Sequence, residues 1–174
     1  VFTSRVRALN RASKAQRRPG SKIKPIVYSA SPENGMTPAS IIVDGPFSVD
    51  QGARLGQKCF RNFSGGGSGP HTMRWGLEQS RNLMTVRAAS QTGMDRVVRT
   101  IKNMGIGDYQ PYLSFALGAG ETTVERMVNA YAMLANQGRQ LAPKLMDYVQ
   151  DRRGQAIWPQ RWRDGPAGLA AVLV

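Results

Sequence analysis

The chain has 174 residues, 41% of them apolar and 20% charged, which suits a packed globular core and excludes an intrinsically disordered segment. Lysine and arginine number 24 against 11 aspartates and glutamates, a net charge of +13 that favours acidic partners, whether nucleic acid, an anionic membrane face or an anionic polymer, and chooses none of them. One cysteine (Cys59) and one histidine (His71) exclude an intrachain disulfide, a thiolate cluster and a multi-histidine metal centre, and no run approaches the roughly 18 consecutive apolar residues of a membrane span.

Residues 1–18 read as a short strand or loop followed by a basic run (Arg5, Arg7, Arg11, Lys14, Arg17, Arg18), the pattern of a basic arm or of a solvated helix face. Pro19-Gly20 stops that segment. A helix is predicted from Ser21 to about Ala30, with Ile23, Ile26, Val27 and Tyr28 on its apolar side. Pro25 fits this placement because proline is tolerated in a first turn, where amide hydrogens have no intrahelical acceptor. Ser21 then sits at the helix mouth, and Lys24, one turn further along the same face, brings an amine within reach of its hydroxyl. A serine alcohol needs a neighbour to take its proton near neutral pH, and lysine can do so where burial or nearby cations keep it neutral. The same tetrapeptide also fits a capping serine followed by a solvated lysine, so the remaining chain has to decide between the two.

Ser31-Pro32-Glu33-Asn34-Gly35 is turn chemistry that ends the first helix. Thr37 to Asp44 reads as extended, running into a proline-containing loop and then Ser48-Val49-Asp50. Residues 52–70, rich in glycine and serine, read as a flexible surface loop, since neither phosphate-binding glycine pattern is present. His71 reads as a surface or capping residue before a short amphipathic helix carrying Met73 and Leu77. Ser80-Arg81-Asn82 forms a tight link, where Ser80 is either a helix cap or a side chain aimed into a cleft. A helix bearing Leu83, Val86 and Ala89 follows and stops at Gly93; the next carries Val97, Val98, Ile101 and Met104 and stops at Gly105. Thr122-Thr123 caps a further helix whose core stripe is Val124, Met127, Val128, Tyr131, Leu134 and Ala135, ended by Gly138. Leu145 to Val149 and Ala156 to Trp158 read as a hairpin around Asp151-Arg152-Arg153-Gly154, and Cys59 as a bystander thiol.

Several of these pieces, taken in order, resemble one family. Arg18-Pro19-Gly20-Ser21 with Lys24-Pro25 looks like its first active-site motif, and Ser80-Arg81-Asn82 like its second. Gly35-Met36-Thr37-Pro38-Ala39, Gly69-Pro70, Leu83-Met84-Thr85-Val86-Arg87, Leu117-Gly118-Ala119-Gly120-Glu121-Thr122-Thr123, Ala130 to Asn136 and Asp151-Arg152 with Gly154 match it at compatible separations. The chain thus resembles the transpeptidase domain of class A penicillin-binding proteins, the bifunctional cell-wall synthases, over about residues 5–158. Residues 159–174 match nothing of that family and are expected to be a separate tail. Since the chain opens on Val1 and closes on an apolar run, Ala167 to Val174, it is expected to be a segment of a longer protein.

The resemblance implies an α+β fold, helices packed on an antiparallel sheet, here incomplete. It implies a serine acyltransferase: Ser21 attacks the carbonyl between two terminal D-alanines of a peptidoglycan stem peptide, with Lys24 as base, and an acyl-enzyme remains for a second stem peptide to resolve. It further implies that Ser80 relays the proton to the leaving nitrogen, that Asn82 binds the donor peptide, and that the Ser21 amide helps hold the oxyanion. Stem peptides and β-lactams are the implied partners, with no nucleic acid and no metal or other cofactor. The implied place is the periplasmic face of a bacterial inner membrane, reached through an anchor and beside a glycosyltransferase domain, neither of which this chain contains. No lysine in the chain is followed by Thr-Gly or Ser-Gly, so the family's third motif is missing from these 174 residues, and the likeness is looser around Lys58-Cys59-Phe60-Arg61. A D,D-carboxypeptidase or β-lactamase-like hydrolase shares the two motifs present. A basic nucleic-acid-binding module, resting on charge alone, is the reading from another class.

Overall fold

The computed structural model describes residues 10–50, 56–140, 142–144 and 149–158. The chain threads its first long apolar run through the middle of the molecule. Gly20–Ile23 forms a single 3-10 turn that passes directly into α1, Lys24–Ser29, so the one helix expected from Ser21 is a tighter 3-10 piece followed by a short α-helix with Pro25 in its first turn. Ile23, Ile26, Val27 and Ala30 are buried on one side against α4 (Met94–Asn103) and α5 (Val124–Ala135). Tyr28 faces the other way, onto Ile42, Met73 and Met84. A helix buried all round is anchored by its neighbours rather than by its own short hydrogen-bond ladder.

Around it run β1 (Ile41–Asp44), β2 (Phe47–Asp50), β3 (Gln57–Phe60), β4 (Gly69–Thr72), α2 (Met73–Glu78) and α3 (Asn82–Thr92). Two antiparallel pairs form among them. β1 pairs with β4, Ile41 opposite Thr72 and Asp44 opposite Gly69, and β2 pairs with β3, Phe47 opposite Phe60. β5 (Val149–Gln150) and β6 (Ala156–Trp158) make the expected terminal hairpin, although residues 145–148 of that expectation lie outside the described ones. The described sheets are thus all antiparallel and all two-stranded.

Two expectations are corrected. The stretch 52–70 is not one flexible loop: β3 and the start of β4 lie within it. Glycine and serine content hid the pairing, which rests on Phe47 and Phe60 meeting across the hairpin at 6.2 Å. In α5 the buried stripe is Met127, Ala130 and Met133, while Val124, Val128 and Tyr131 are exposed. Among the described residues these exposed side chains line a groove of about 500 Å3 with Pro19 and Met127, and no described element packs over it.

Glycine is required where the loop after the 3-10 turn Leu113–Leu117 crosses the Ser21 turn. Gly118 has φ 77, and a Cβ there would collide with the Gly20 backbone, itself at φ 57. The two backbones touch through Gly20 N–H donating to Gly118 O at 3.4 Å. Arg17 and Thr122 exchange both backbone hydrogen bonds just upstream, and the Tyr131 hydroxyl donates to Lys22 O at 2.8 Å. The turn bearing Ser21 is thereby held from the Gly118 loop and from α5.

Candidate active site

Ser21 is exposed on its turn and shares with Ser80 and Asn82 a cavity of about 480 Å3 that Asn62, Phe63 and Arg81 also border. Phe63, an aromatic ring left wholly in solvent, stands on the loop at the edge of this cavity. Lys24 is only 1% exposed and sits beneath the α2–α3 link. Its Nζ donates to Ser80 O at 2.5 Å, Ser80 Oγ at 3.1 Å and Asn82 Oδ1 at 2.7 Å. An ammonium has three donors, and these three acceptors use them all. The amine is therefore turned to the link, and the hydrogen bond to the Ser21 hydroxyl expected from the helical spacing is not among those it makes.

Burial first, and then the positive charge of Arg81, pull the Lys24 amine down from its ordinary 10.5 to about 8. A base in that range has a usable neutral fraction near neutral pH, unlike a solvated lysine. The capping reading of Ser80 does not hold. Ser80 takes φ 51 and the N-cap of α3 is Arg81, which makes no side-chain cap bond. A left-handed serine costs energy and needs support from its surroundings. Here it turns both its carbonyl and its hydroxyl toward Lys24. Asn82 opens α3, with Oδ1 on Lys24 and Nδ2 donating to Arg61 O at 3.0 Å, which leaves one of its amide hydrogens uncommitted.

Behind the link lies a cluster that motif reading missed. Asp44 is 1% exposed, and Arg81 reaches it with one terminal nitrogen at 2.6 Å and Nε at 2.8 Å. Asn62 Nδ2 donates to Asp44 at 2.8 Å, and the Ser68 amide and hydroxyl donate at 3.0 and 2.8 Å. Burial alone raises a carboxyl's pKa, but the hydrogen bonds from Asn62, Arg81 and Ser68 outweigh it and hold Asp44 below its ordinary value. Asn62 also accepts from Leu83 N–H at 3.1 Å, tying the first turn of α3 to the same cluster. One signal was available: strand alternation puts Asp44 on the face of buried Ile42, and an inward carboxylate demands partners.

His71 lies in β4, stacked on Trp75 at 3.7 Å between ring centres, and the cap of α2 is Thr72, whose hydroxyl accepts from Trp75 N–H at 3.3 Å. No group of three or more His, Cys, Asp and Glu side chains placed to hold a metal occurs among the described residues.

Comparison with known proteins gives a consistent picture. The family model described as the penicillin binding protein transpeptidase domain matches residues 3–167. Penicillin-binding protein 1A of Rickettsia bellii is 43% identical over 150 residues, covering 86% of this chain and 19% of the relative, and that of Neisseria gonorrhoeae is 34% identical over 152 residues. The chain thus spans about a fifth of the length of these curated relatives. The crystal structure of penicillin-binding protein 1A from Haemophilus influenzae superposes with a TM-score of 0.79 at 32% identity, over 86% of this chain and 22% of that one. PonA1 of Mycobacterium tuberculosis, solved in complex with penicillin V, shares the fold at a TM-score of 0.73 and 23% identity, over 87% of this chain and 43% of that one.

Proposed function

Since this chain belongs to the penicillin-binding protein transpeptidase family, we propose that it carries the nucleophile half of a peptidoglycan D,D-transpeptidase site. Ser21 Oγ attacks the carbonyl between the terminal D-alanines of a stem peptide, and its proton passes to the neutral Lys24 amine. The tetrahedral oxyanion collapses, the C–N bond breaks, and the leaving D-alanine takes a proton through Ser80 Oγ. The amine of a second stem peptide then attacks the acyl-enzyme ester, the ester C–O bond breaks, the proton lost by the amine returns to Ser21 Oγ, and the new amide is the cross-link. The observation that carries this reading is the buried, lowered amine of Lys24 held against Ser80 and Asn82 at the cavity Ser21 lines.

In the structure described, Lys24 is bonded to Ser80 and Asn82. For the first step the amine rotates to the Ser21 hydroxyl, and Ser80 Oγ, already 3.1 Å away, is placed to return the proton to the leaving group. The remaining Asn82 N–H is available for the donor peptide backbone. The Ser21 amide, in the first turn where backbone donors lack helical partners, contributes to the oxyanion site. A second oxyanion donor comes in this family from the Lys-Thr-Gly strand, and the 174 residues hold no such run. Loss of one oxyanion donor costs about a hundred- to thousandfold in turnover, so this chain alone acylates slowly. The protein acts at the periplasmic face of a bacterial inner membrane, and β-lactams acylate the same serine because their strained amide imitates D-alanyl-D-alanine.

Incubation with a fluorescent penicillin, followed by denaturing gel electrophoresis, tests the reading. Labelling that Ser21→Ala abolishes supports it. Salt-sensitive duplex DNA binding with no labelling would favour the basic nucleic-acid module instead.

A further inference from the structure

The link that holds Lys24 is held in turn by a carboxylate that belongs to neither motif. Arg81 lies between Ser80 and Asn82, so the segment that presents two side chains and a carbonyl to the amine on one side is fastened to β1 on the other, through Asp44. Arg81 also donates to Ser64 Oγ at 2.9 Å and Gly66 O at 2.9 Å, and its side chain is 17% exposed. Ser80, one residue before it, has the left-handed φ of 51, a conformation that persists only where the surroundings impose it.

We propose that Asp44 is a positioning residue for the Lys24 base: acting through Arg81, it holds the Ser80–Asn82 link against the amine and offsets the guanidinium charge that the amine would otherwise face alone. The inference rests on the reading of Lys24 as base. A half-buried cation beside a buried ammonium is unfavourable in a low dielectric, and a buried carboxylate bonded to that cation at 2.6 Å is the group placed to moderate it. Among the described residues, charged and titratable groups stand near Lys24 on several elements, Arg61 among them, its carbonyl accepting from Asn82 Nδ2. Arg81 comes from the link, Asp44 from β1 behind it, Tyr28 from α1 itself with its hydroxyl bonded to Thr85, and Lys22 is exposed on the preceding turn. Arg87 of α3 points elsewhere, to the carbonyls of Val43, Gly45 and Pro46. Arg81 is the neighbour whose charge already acts on the amine, and Asp44 is its ion-pair partner.

The test follows the Lys24 side chain by NMR titration of protein labelled with 13C at lysine Cε, for the wild type, Asp44→Asn, Arg81→Gln and the double variant, alongside the pH profile of penicillin acylation. Asp44→Asn is expected to lower the Lys24 midpoint by on the order of one pH unit. Arg81→Gln is expected to raise it, and Asp44→Asn makes a smaller difference in the Arg81→Gln background than in the wild type. The acid limb of the acylation profile moves with the midpoint. An Asp44→Asn midpoint that stays put, or shifts equally in both backgrounds, assigns Asp44 a merely structural role and overturns the proposal. Should Asp44→Asn fail to fold, Arg81→Gln decides, since an unchanged or lowered midpoint there overturns it as well. If the midpoints shift as expected but no protein, wild type included, is acylated, the transpeptidase reading fails while the coupling of Asp44 to Lys24 stands.

Discussion

Lys24 and Ser80, 56 residues apart in the chain, meet through two hydrogen bonds, one to the Ser80 carbonyl at 2.5 Å and one to its hydroxyl at 3.1 Å. The pairing needs the α2–α3 link to turn sharply, and Ser80 supplies that turn at φ 51. One residue therefore carries a conformational cost and, in the proposed mechanism, a chemical role, and substitution can separate them.

Ser80→Gly relieves the left-handed strain, by about 1 kcal/mol, while Ser80→Ala keeps it. Both remove the hydroxyl. Thermal denaturation is expected to rank glycine above alanine in stability, whereas both variants lose roughly a hundredfold or more in acylation rate, the scale of a lost proton-transfer partner. Equal acylation by wild type and both variants would remove Ser80 from the mechanism.

Lys24 also makes a pH-dependent contribution to stability. Its folded pKa of about 8 lies below the ordinary 10.5, so between these values the unfolded chain binds more protons, and unfolding free energy rises with pH through that window. Tyr28, Tyr109 and Tyr131 act with the opposite sign. Burial raises their folded pKa above the ordinary 10.0, so their contribution falls as pH rises beyond it. Urea denaturation at several pH values between 8 and 10 isolates the lysine, and Lys24→Met is expected to flatten the rise.

Gly118→Ala should be felt at Ser21, on the turn it touches. The new Cβ collides with Gly20 backbone and must also accept φ 77, which together cost about 1–3 kcal/mol. The melting temperature is expected to drop and acylation to slow, because the loop is pushed off the turn that carries Ser21, the proposed nucleophile. Gly66→Ala, with open space around its Cβ, is the matched control.

The helices and both motif segments were legible in the sequence because their signals are local: Pro19-Gly20 ahead of an apolar run, Thr123 capping α5 through Arg126 N–H, glycines at 93 and 105 ending helices. What stayed hidden depends on contacts distant in the chain. The hairpin β2–β3 lies in polar, glycine-rich sequence, and only the Phe47–Phe60 contact and the ladder reveal it. The ring of Asn62, Ser68 and Arg81 around Asp44 brings together residues up to 37 apart. The α5 stripe was misjudged because 3.6-residue periodicity says which side chains share a face but not which faces are covered.

That last point predicts a contrast within α5. Met133→Ala removes a side chain that is 3% exposed and is expected to cost about 2–5 kcal/mol. Val128→Ser, at 63% exposed, is expected to change stability by no more than about 0.5 kcal/mol. Denaturant midpoints of the two variants check it.

The central claim is that the hydroxyl of Ser21 becomes acylated with help from the Lys24 amine, and mass spectrometry of the protein after exposure to benzylpenicillin tests it most directly. The expected result is a single penicilloyl adduct on the peptide carrying Ser21, formed slowly and faster as pH rises toward about 8. An adduct mapped to any other residue, or a folded protein that stays unmodified at saturating drug across that pH range, would contradict the account.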